Sequence, residues 1–184
     1  MNYYLLFGSF EDGEGSFGEL EPQKLDFYHP SYSLHKKVST LKVSECYEER
    51  GMSDFLKIGL GKLASAKVQQ VFFEHGFTGI QFLPVVVKNE QEYTDYAFIN
   101  PIAHYDLLDP RASRARRYSE AIGGFSSLYD PIIDRDKFNN TNFKHDCFTL
   151  STIKQDYYVN ETVKLALEAA GVKGITFMPM EFSS

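Results

Sequence analysis

Two short groupings hold the residue types that acid–base or metal chemistry needs: His104-Tyr105-Asp106 and His145-Asp146-Cys147. An imidazole and a carboxylate so close in the chain can share a proton or grip one cation, and Asp109 is near enough to join the first pair. A zinc centre, however, requires three or four ligands converging on one point. No spacing here favours such a set, and polar residues at strand edges account for both groupings more simply. A small enzyme built on His104, Asp106, Asp109 and His145 would need all four in one cleft, at least one with a displaced pKa. No serine sits in a nucleophile elbow, and Gly59-Leu60-Gly61 lacks the remainder of a phosphate-binding loop. Neither a metal nor a cofactor is expected.

Charge is concentrated in two segments. EDGEGSFGELEPQ carries Glu11, Asp12, Glu14, Glu19 and Glu21 among glycines, the composition of an exposed loop. A calcium loop would need more regularly spaced carboxylates and a closing bidentate glutamate, which this stretch lacks. It reads either as a solvated loop or as an acidic surface for a basic partner. Arg111, Arg114, Arg116 and Arg117 form a basic patch in a chain of formal net charge −6. That patch reads as a solvated segment, or as a contact to an acidic partner surface or a phosphate. Four arginines without interleaved aromatics, in an acidic chain, do not describe a nucleic-acid binder.

A scaffold must position these groups, and its plainest sign is a repeat. SAKVQQVFFEHGFTGIQFLP (65–84) is echoed by NETVKLALEAAGVKGITFMP (160–179). Both contain Gly-x-x-Gly-Ile-x-Phe-x-Pro, beginning at Gly76 and at Gly171, 95 positions apart. A helix N-cap type, Ser65 or Asn160, stands eleven residues before the first glycine. From each cap one face falls at helical spacing: Val68, Val71, Phe72 and His75, then Val163, Ala166, Leu167 and Ala170. His75 is expected partly over the core, at a helix end that favours its charged form. Gly76 and Gly171 fit a left-handed C′ position, with Phe77 and Val172 placed to touch Phe72 and Leu167 in a Schellman motif. A strand follows in each copy, and Pro84 marks an edge, a bulge or a kink in the first.

Elsewhere the patterning predicts strands at 2–7, 37–44, 55–58, 92–102, 147–150 and 157–159, with extended chain over 125–133. Asp109-Pro110 and Gly123-Gly124 predict the start and stop of a helix, which Arg111 and Arg114 near its positive end would oppose. The asparagine-rich 134–146 reads as a surface loop. Together these predict one α+β domain over 1–184, with a mixed or mostly antiparallel sheet, few helices and the duplicated helix–glycine–strand unit at 65–84 and 160–179. No apolar run approaches the ~20 residues of a membrane span, and MNYYLLFGSF lacks the basic start of a signal peptide. Cys46 and Cys147 read as free thiols in a reducing cytoplasm, although two cysteines also leave one bridge open.

The later two-thirds of the chain carries its landmarks in a recognisable order. GFTGIQFLPVVV is followed by AFINPIAHYDLLDPRAS, then SLYDPIIDRDKF, DCFTL and the closing GVKGITFMP. This order resembles the DUF1629-type domain, family 11 of the immunity proteins of bacterial polymorphic toxin systems. The resemblance covers about 54–180, through Pro84, Asn100, Asp106, Asp109, Ser113, Phe148 and the final GVKGITF, while 1–53 contributes little. The RASRARR segment is more basic than the family pattern. The resemblance implies a cytoplasmic, non-enzymatic protein that binds and neutralises a cognate toxin. It transfers no toxin-binding residue set. From the residues themselves the Glu11–Glu21 segment is the preferred surface, by mimicry of an anionic substrate, and Arg111–Arg117 the other. Oligomeric state is not legible.

Overall fold

The computed structural model describes residues 2–8, 17–21, 39–43, 52–58, 61–88, 92–121 and 123–183. The aromatic opening forms β1 (Tyr3–Gly8), followed by β2 (Phe17–Glu21) and β3 (Ser39–Val43). A hairpin of β4 (Phe55–Ile58) and β5 (Gly61–Ala64) leads into α1 (Ala66–His75) and the long β6 (Ile80–Lys88). Next come β7 (Glu92–Tyr93), β8 (Ala97–Pro101), β9 (His104–Tyr105), the hairpin β10 (Arg116–Ser119) and β11 (Gly124–Ser127), β12 (Ile132–Ile133) and α2 (Arg135–Asn140). A second hairpin, β13 (Cys147–Leu150) and β14 (Ile153–Asn160), precedes α3 (Glu161–Ala169), β15 (Ile175–Pro179) and β16 (Glu181–Phe182). The result is an α+β domain with few helices and mixed, mostly antiparallel sheets, as the patterning predicts.

The repeat proves larger in space than in sequence. One sheet has the order β15-β1-β14-β13-β9, the other β2-β3-β6-β8-β5-β4, with β7 beside β6. In the second sheet β8 lies between β5 and β6, antiparallel to both. In the first, β1 lies between β14 and β15, again antiparallel to both. The outer hairpin strands also correspond, since Phe55 faces Ala64 and Cys147 faces Val159, each pair just ahead of a helix cap. Each copy is therefore hairpin, helix and strand wrapped around an inserted middle strand. That strand follows the first copy in sequence and precedes the second.

Two aspartates join the copies. The amides of Ser65 and Asn160 donate to the carbonyls of Asp54 and Asp146 at 2.8 and 2.9 Å. Each side chain then bonds its own cap, Ser65 Oγ to Asp54 Oδ1 and Asn160 Nδ2 to Asp146 Oδ1, both at 2.8 Å. The remaining oxygen of each reaches across to the other copy. Asp54 Oδ2 accepts from the amide of Lys173, and Asp146 Oδ2 from the amide of Thr78, both at 2.9 Å. Thr78 and Lys173 occupy the same place in their glycine loops, so the two clamps are related by a pseudo-two-fold. Burial alone would raise the pKa of Asp54. The bonds from Lys67, the Lys173 amide and Ser65, with the charge of Lys67, outweigh it and hold the carboxyl below its ordinary value.

The helix ends follow the sequence reading closely. Phe77 donates to Phe72 at 3.0 Å and Val172 to Leu167 at 3.2 Å, the long bonds of two Schellman motifs. Asn160 caps α3 through the Val163 amide at 2.9 Å, whereas Ser65 makes no such bond because its hydroxyl is committed to Asp54. His75 differs from expectation: it is exposed, and its ring stacks on Phe77 at 5.1 Å. Val68, Val71 and Phe72 of α1 meet Val163 and Leu167 of α3 in a core shared with Leu6, Phe55, Ile99 and Val159 from both sheets. A second cluster, with Tyr3, Phe148, Leu150 and Tyr158, fills the opposite face of the first sheet. A third backs the other sheet.

Two stretches depart from the sequence reading. No helix spans 109–124; residues 110–114 turn instead, and β10–β11 follows. The Asp109 carboxylate holds the turn by accepting the amides of Arg111 and Ala112 at 3.0 and 2.9 Å. Arg114 and Arg117 take left-handed φ values of 50° and 56°, which a helix could not continue through. Conversely, 134–146 contains α2, capped by Asp134 on the Lys137 amide at 2.9 Å. Its six residues are too few to print a period. At Pro84, β6 changes partners. Residues up to it pair with β8, and those from Val85 onward pair with β3, so the missing N–H faces a side that β3 has not reached.

The two glycines of each loop should respond differently to substitution. A Cβ on Gly79 would lie 1.8 Å from the Cys147 carbonyl oxygen at φ +102°, and Gly174 meets Phe55 O at 2.6 Å. Gly76 and Gly171 have φ of +65° and +62° with nothing within 4 Å. Gly76→Ala is expected to cost about 1–2 kcal/mol in urea unfolding, whereas Gly79→Ala should yield no cooperatively folding protein. Asp146→Ala, which strands the Thr78 and Asn160 donors, should lower stability by about 2–3 kcal/mol. For Asp54 the lowered folded pKa sets the sign. Its contribution is present above the unfolded carboxylate value of about 3.9 and is lost as pH falls through the folded value. The stability gap between wild type and Asp54→Asn should close in that acid window.

Candidate functional site

Strand alternation decides what β14 offers to each side. Tyr157 and Val159 point into the core under the helices, so Asp156 and Tyr158 face the other way. There, β14, β1, β11, the 128–131 segment and the 178–181 stretch enclose a cavity of about 380 Å³. Its size suits a single side chain or a small ligand.

Tyr158 forms its floor. The ring lies on Phe148 at 5.5 Å and 16° and is 1% exposed, yet its hydroxyl has no hydrogen-bond partner among the described residues. A buried hydroxyl left open costs about 1–3 kcal/mol, so this atom is a ready acceptor or donor. Burial, and then the charge of Asp156, raise the pKa of the phenol. Asp156 is half-buried beside it, and burial raises its pKa against the partial offset of the Lys62 ammonium. Asp130 and Glu181 stand exposed on the rim. None of these three carboxylates has a hydrogen-bond or ion-pair partner among the described residues.

The rim is apolar as well as acidic. Six large hydrophobic side chains are exposed among the described residues, and three of them, Phe7, Tyr129 and Met178, surround this one cavity. Grouped exposed apolar side chains mark interaction surfaces, whereas scattered ones do not.

The residues singled out from the sequence fall elsewhere, with one exception. Nδ1 of His104 lies 2.7 Å from Thr149 Oγ1, and Nδ1 of His145 lies 3.0 Å from the Tyr105 hydroxyl. Asp106 pairs with Lys137 at 3.1 Å, and Asp109 holds its own turn. Ser113 is buried, its hydroxyl accepting the Ile132 amide at 2.9 Å and fixing β12 against the turn. His104, Asp106, Asp109 and His145 each have a separate local partner, and none lines the cavity. No group of three metal-ligating side chains occurs among the described residues. Cys147 is a buried free thiol whose pKa is pushed up, first by burial and then by Asp146, while Cys46 lies outside the described residues.

The exception is the basic patch. Arg111, Arg114, Arg116 and Arg117 are all exposed. Arg114 places its guanidinium 5.8 Å from the centre of the Tyr129 ring, and Arg116 pairs with Ser127, so the patch borders the cavity wall. Glu11, Asp12 and Glu14 lie outside the described residues, as do the side chains of Glu19 and Glu21 on β2. Sequence reading missed Asp156 and Tyr158. The signal was an aspartate two positions before a tyrosine at the start of the buried Tyr157–Asn160 run, obscured by starting that strand at Tyr157.

No family model matches the chain, and no curated protein matches it. No helix among the described residues is long and apolar enough to cross a membrane.

Asp156 gives the site a testable signature. A carboxyl whose folded pKa is raised opposes folding when ionised. That penalty is full above the folded pKa and vanishes below the unfolded value of about 3.9. Asp156→Asn is therefore expected to raise Tm at pH 7, and scanning calorimetry should show the gain disappearing in acid.

Proposed function

We propose that this protein is a cytoplasmic immunity protein that binds a cognate bacterial toxin and neutralises it by occlusion, without chemistry of its own. The observation that carries the reading is the cavity rim, where Phe7, Tyr129 and Met178 are exposed around the carboxylates of Asp130 and Glu181, which have no hydrogen-bond or ion-pair partner among the described residues. Exposed aromatics around an open pocket are the kind of surface in which interface energy concentrates. The acidity of the site and of the chain as a whole suits a basic partner and speeds its encounter. The order of landmarks shared with the immunity family supports the same conclusion. So does the way His104, Asp106, Asp109 and His145 are each engaged by a separate partner.

The docking surface so defined differs from the one preferred on sequence. The carboxylates grouped around the cavity are Asp130, Asp156 and Glu181, and the Arg111–Arg117 patch flanks them as a second, oppositely charged contact. A partner matching both would carry a basic and apolar projection beside an acidic strip.

The test is co-expression, in a sensitive host, with the toxin domain encoded beside this gene. Growth should be restored and the two proteins should co-elute on gel filtration. Absence of both rescue and complex would overturn the proposal.

A further inference from the structure

We infer that the cavity on the outer face of the first sheet is a receptor for an arginine side chain presented by the partner protein. This inference rests on the binding role proposed above and names what the site grips. Three observations carry it. The hydroxyl of Tyr158 is buried at the floor with no hydrogen-bond partner among the described residues, and that residue lines the cavity. Asp156, two residues away on the same face of β14, lines it too, and Asp130 and Glu181 add carboxylates at the mouth. The walls between them are aromatic and thioether surface, from Phe7, Tyr129 and Met178.

That combination matches a guanidinium better than any other side chain. A guanidinium is flat, weakly hydrated and permanently charged, and it presents five N–H donors in a rigid fork. It can therefore slide between apolar walls at modest desolvation cost while donating to several acceptors at different heights. Here those acceptors are the Asp156 carboxylate below and the rim carboxylates above, and the Tyr158 oxygen, closed to solvent in the unbound structure, joins them when its ring shifts to admit the guanidinium. A lysine ammonium is more strongly hydrated and offers a single charged point, so it would satisfy fewer of these groups. The molecule already shows the relevant contact once, since its own Arg114 lies over Tyr129 at 5.8 Å. An incoming arginine would use the aromatic face of the same rim. Binding would also supply the hydrogen bond that the Tyr158 hydroxyl lacks and the countercharge that Asp156 finds only partly in Lys62.

The experiment uses the full chain with carbon-13-labelled methionine methyls, titrated with N-acetyl-arginine methylamide and its lysine and citrulline counterparts. Citrulline keeps the shape and removes the charge. The arginine compound should shift the Met178 and Met180 resonances saturably, with the other two compounds at least about tenfold weaker. Tyr158→Phe, which retains the ring packing, and Asp156→Asn should each weaken binding about tenfold while the methionine spectrum confirms the fold. No saturable shift, equal binding of lysine or citrulline, or indifference to both substitutions would overturn the inference. Its failure is separable from that of the parent proposal. If the doubly substituted protein still rescues growth and still forms the toxin complex, the immunity reading stands and the arginine receptor falls. If arginine binds as expected but no toxin is neutralised, the receptor stands and the immunity reading falls.

Discussion

The fold depends on two carboxylates that each face two ways. Asp54 and Asp146 bond the cap of their own helix with one oxygen and the glycine loop of the opposite copy with the other. Neither copy can shift along the other without breaking charge-assisted bonds at both ends of the junction at once. The clamp also explains the second glycine of each loop. To bring the loop amide onto the aspartate, the backbone passes so close to Cys147 or Phe55 that no Cβ fits. The glycine pair of each loop is the seam of a duplicated scaffold.

That seam determines where a binding site can lie. Both helices and the inward faces of both sheets are consumed in forming the shared core. The first sheet still has a second face, covered only in part by α2, the 105–115 segment and the β10–β11 hairpin. The uncovered remainder is the cavity, floored by alternate residues of a strand whose other side belongs to the core. Tyr158 is thus held in a stretch of β14 paired on both sides, by β1 and β13, with Asp156 just before it, while the residues that meet a partner first, Tyr129 and Phe7, stand at the rim. A fixed floor and an exposed rim suit recognition, since little order has to be created on binding.

The scaffold was largely legible in the sequence because its signals are local. Caps, glycine stops and apolar spacing at 65–84 and 160–179 led to two helices of the expected length and ending. The strands at 2–7, 55–58 and 147–150 lie close to where patterning puts them, while 92–102 divides into β7 and β8 and 157–159 is the end of the longer β14. The departures have physical causes. Ser65 has the side chain of a cap but donates to Asp54, a partner eleven residues earlier that no local rule would select. The 109–124 segment has helix-like punctuation, yet Asp109 spends its cap on a turn and two arginines adopt left-handed backbone. The site itself was nearly invisible. Its walls come from four stretches scattered from Leu5 to Glu181, and its most informative atom is a tyrosine oxygen whose lack of a partner is a property of the folded state alone. The charged clusters that drew attention in sequence serve structure, border the cavity or lie outside the described residues.

The middle strands of the two copies differ in one respect that bears on how the molecule is made. In the first copy only the short β7 separates β6 from β8, so hairpin, helix and both flanking strands lie in one run from Phe55 to Pro101. In the second, the middle strand is β1, and Tyr3 must find Asn160 across most of the chain. Local pairings close quickly and distant ones slowly, because the intervening loop entropy has to be overcome first. During synthesis the first copy can assemble while the ribosome is still translating the second, and β1 must wait, unpaired, until β14 and β15 have emerged. The cavity is walled by β1 and β14 together, so the site comes into being only at that last closure. A truncated or stalled chain would present a finished first half and no binding surface.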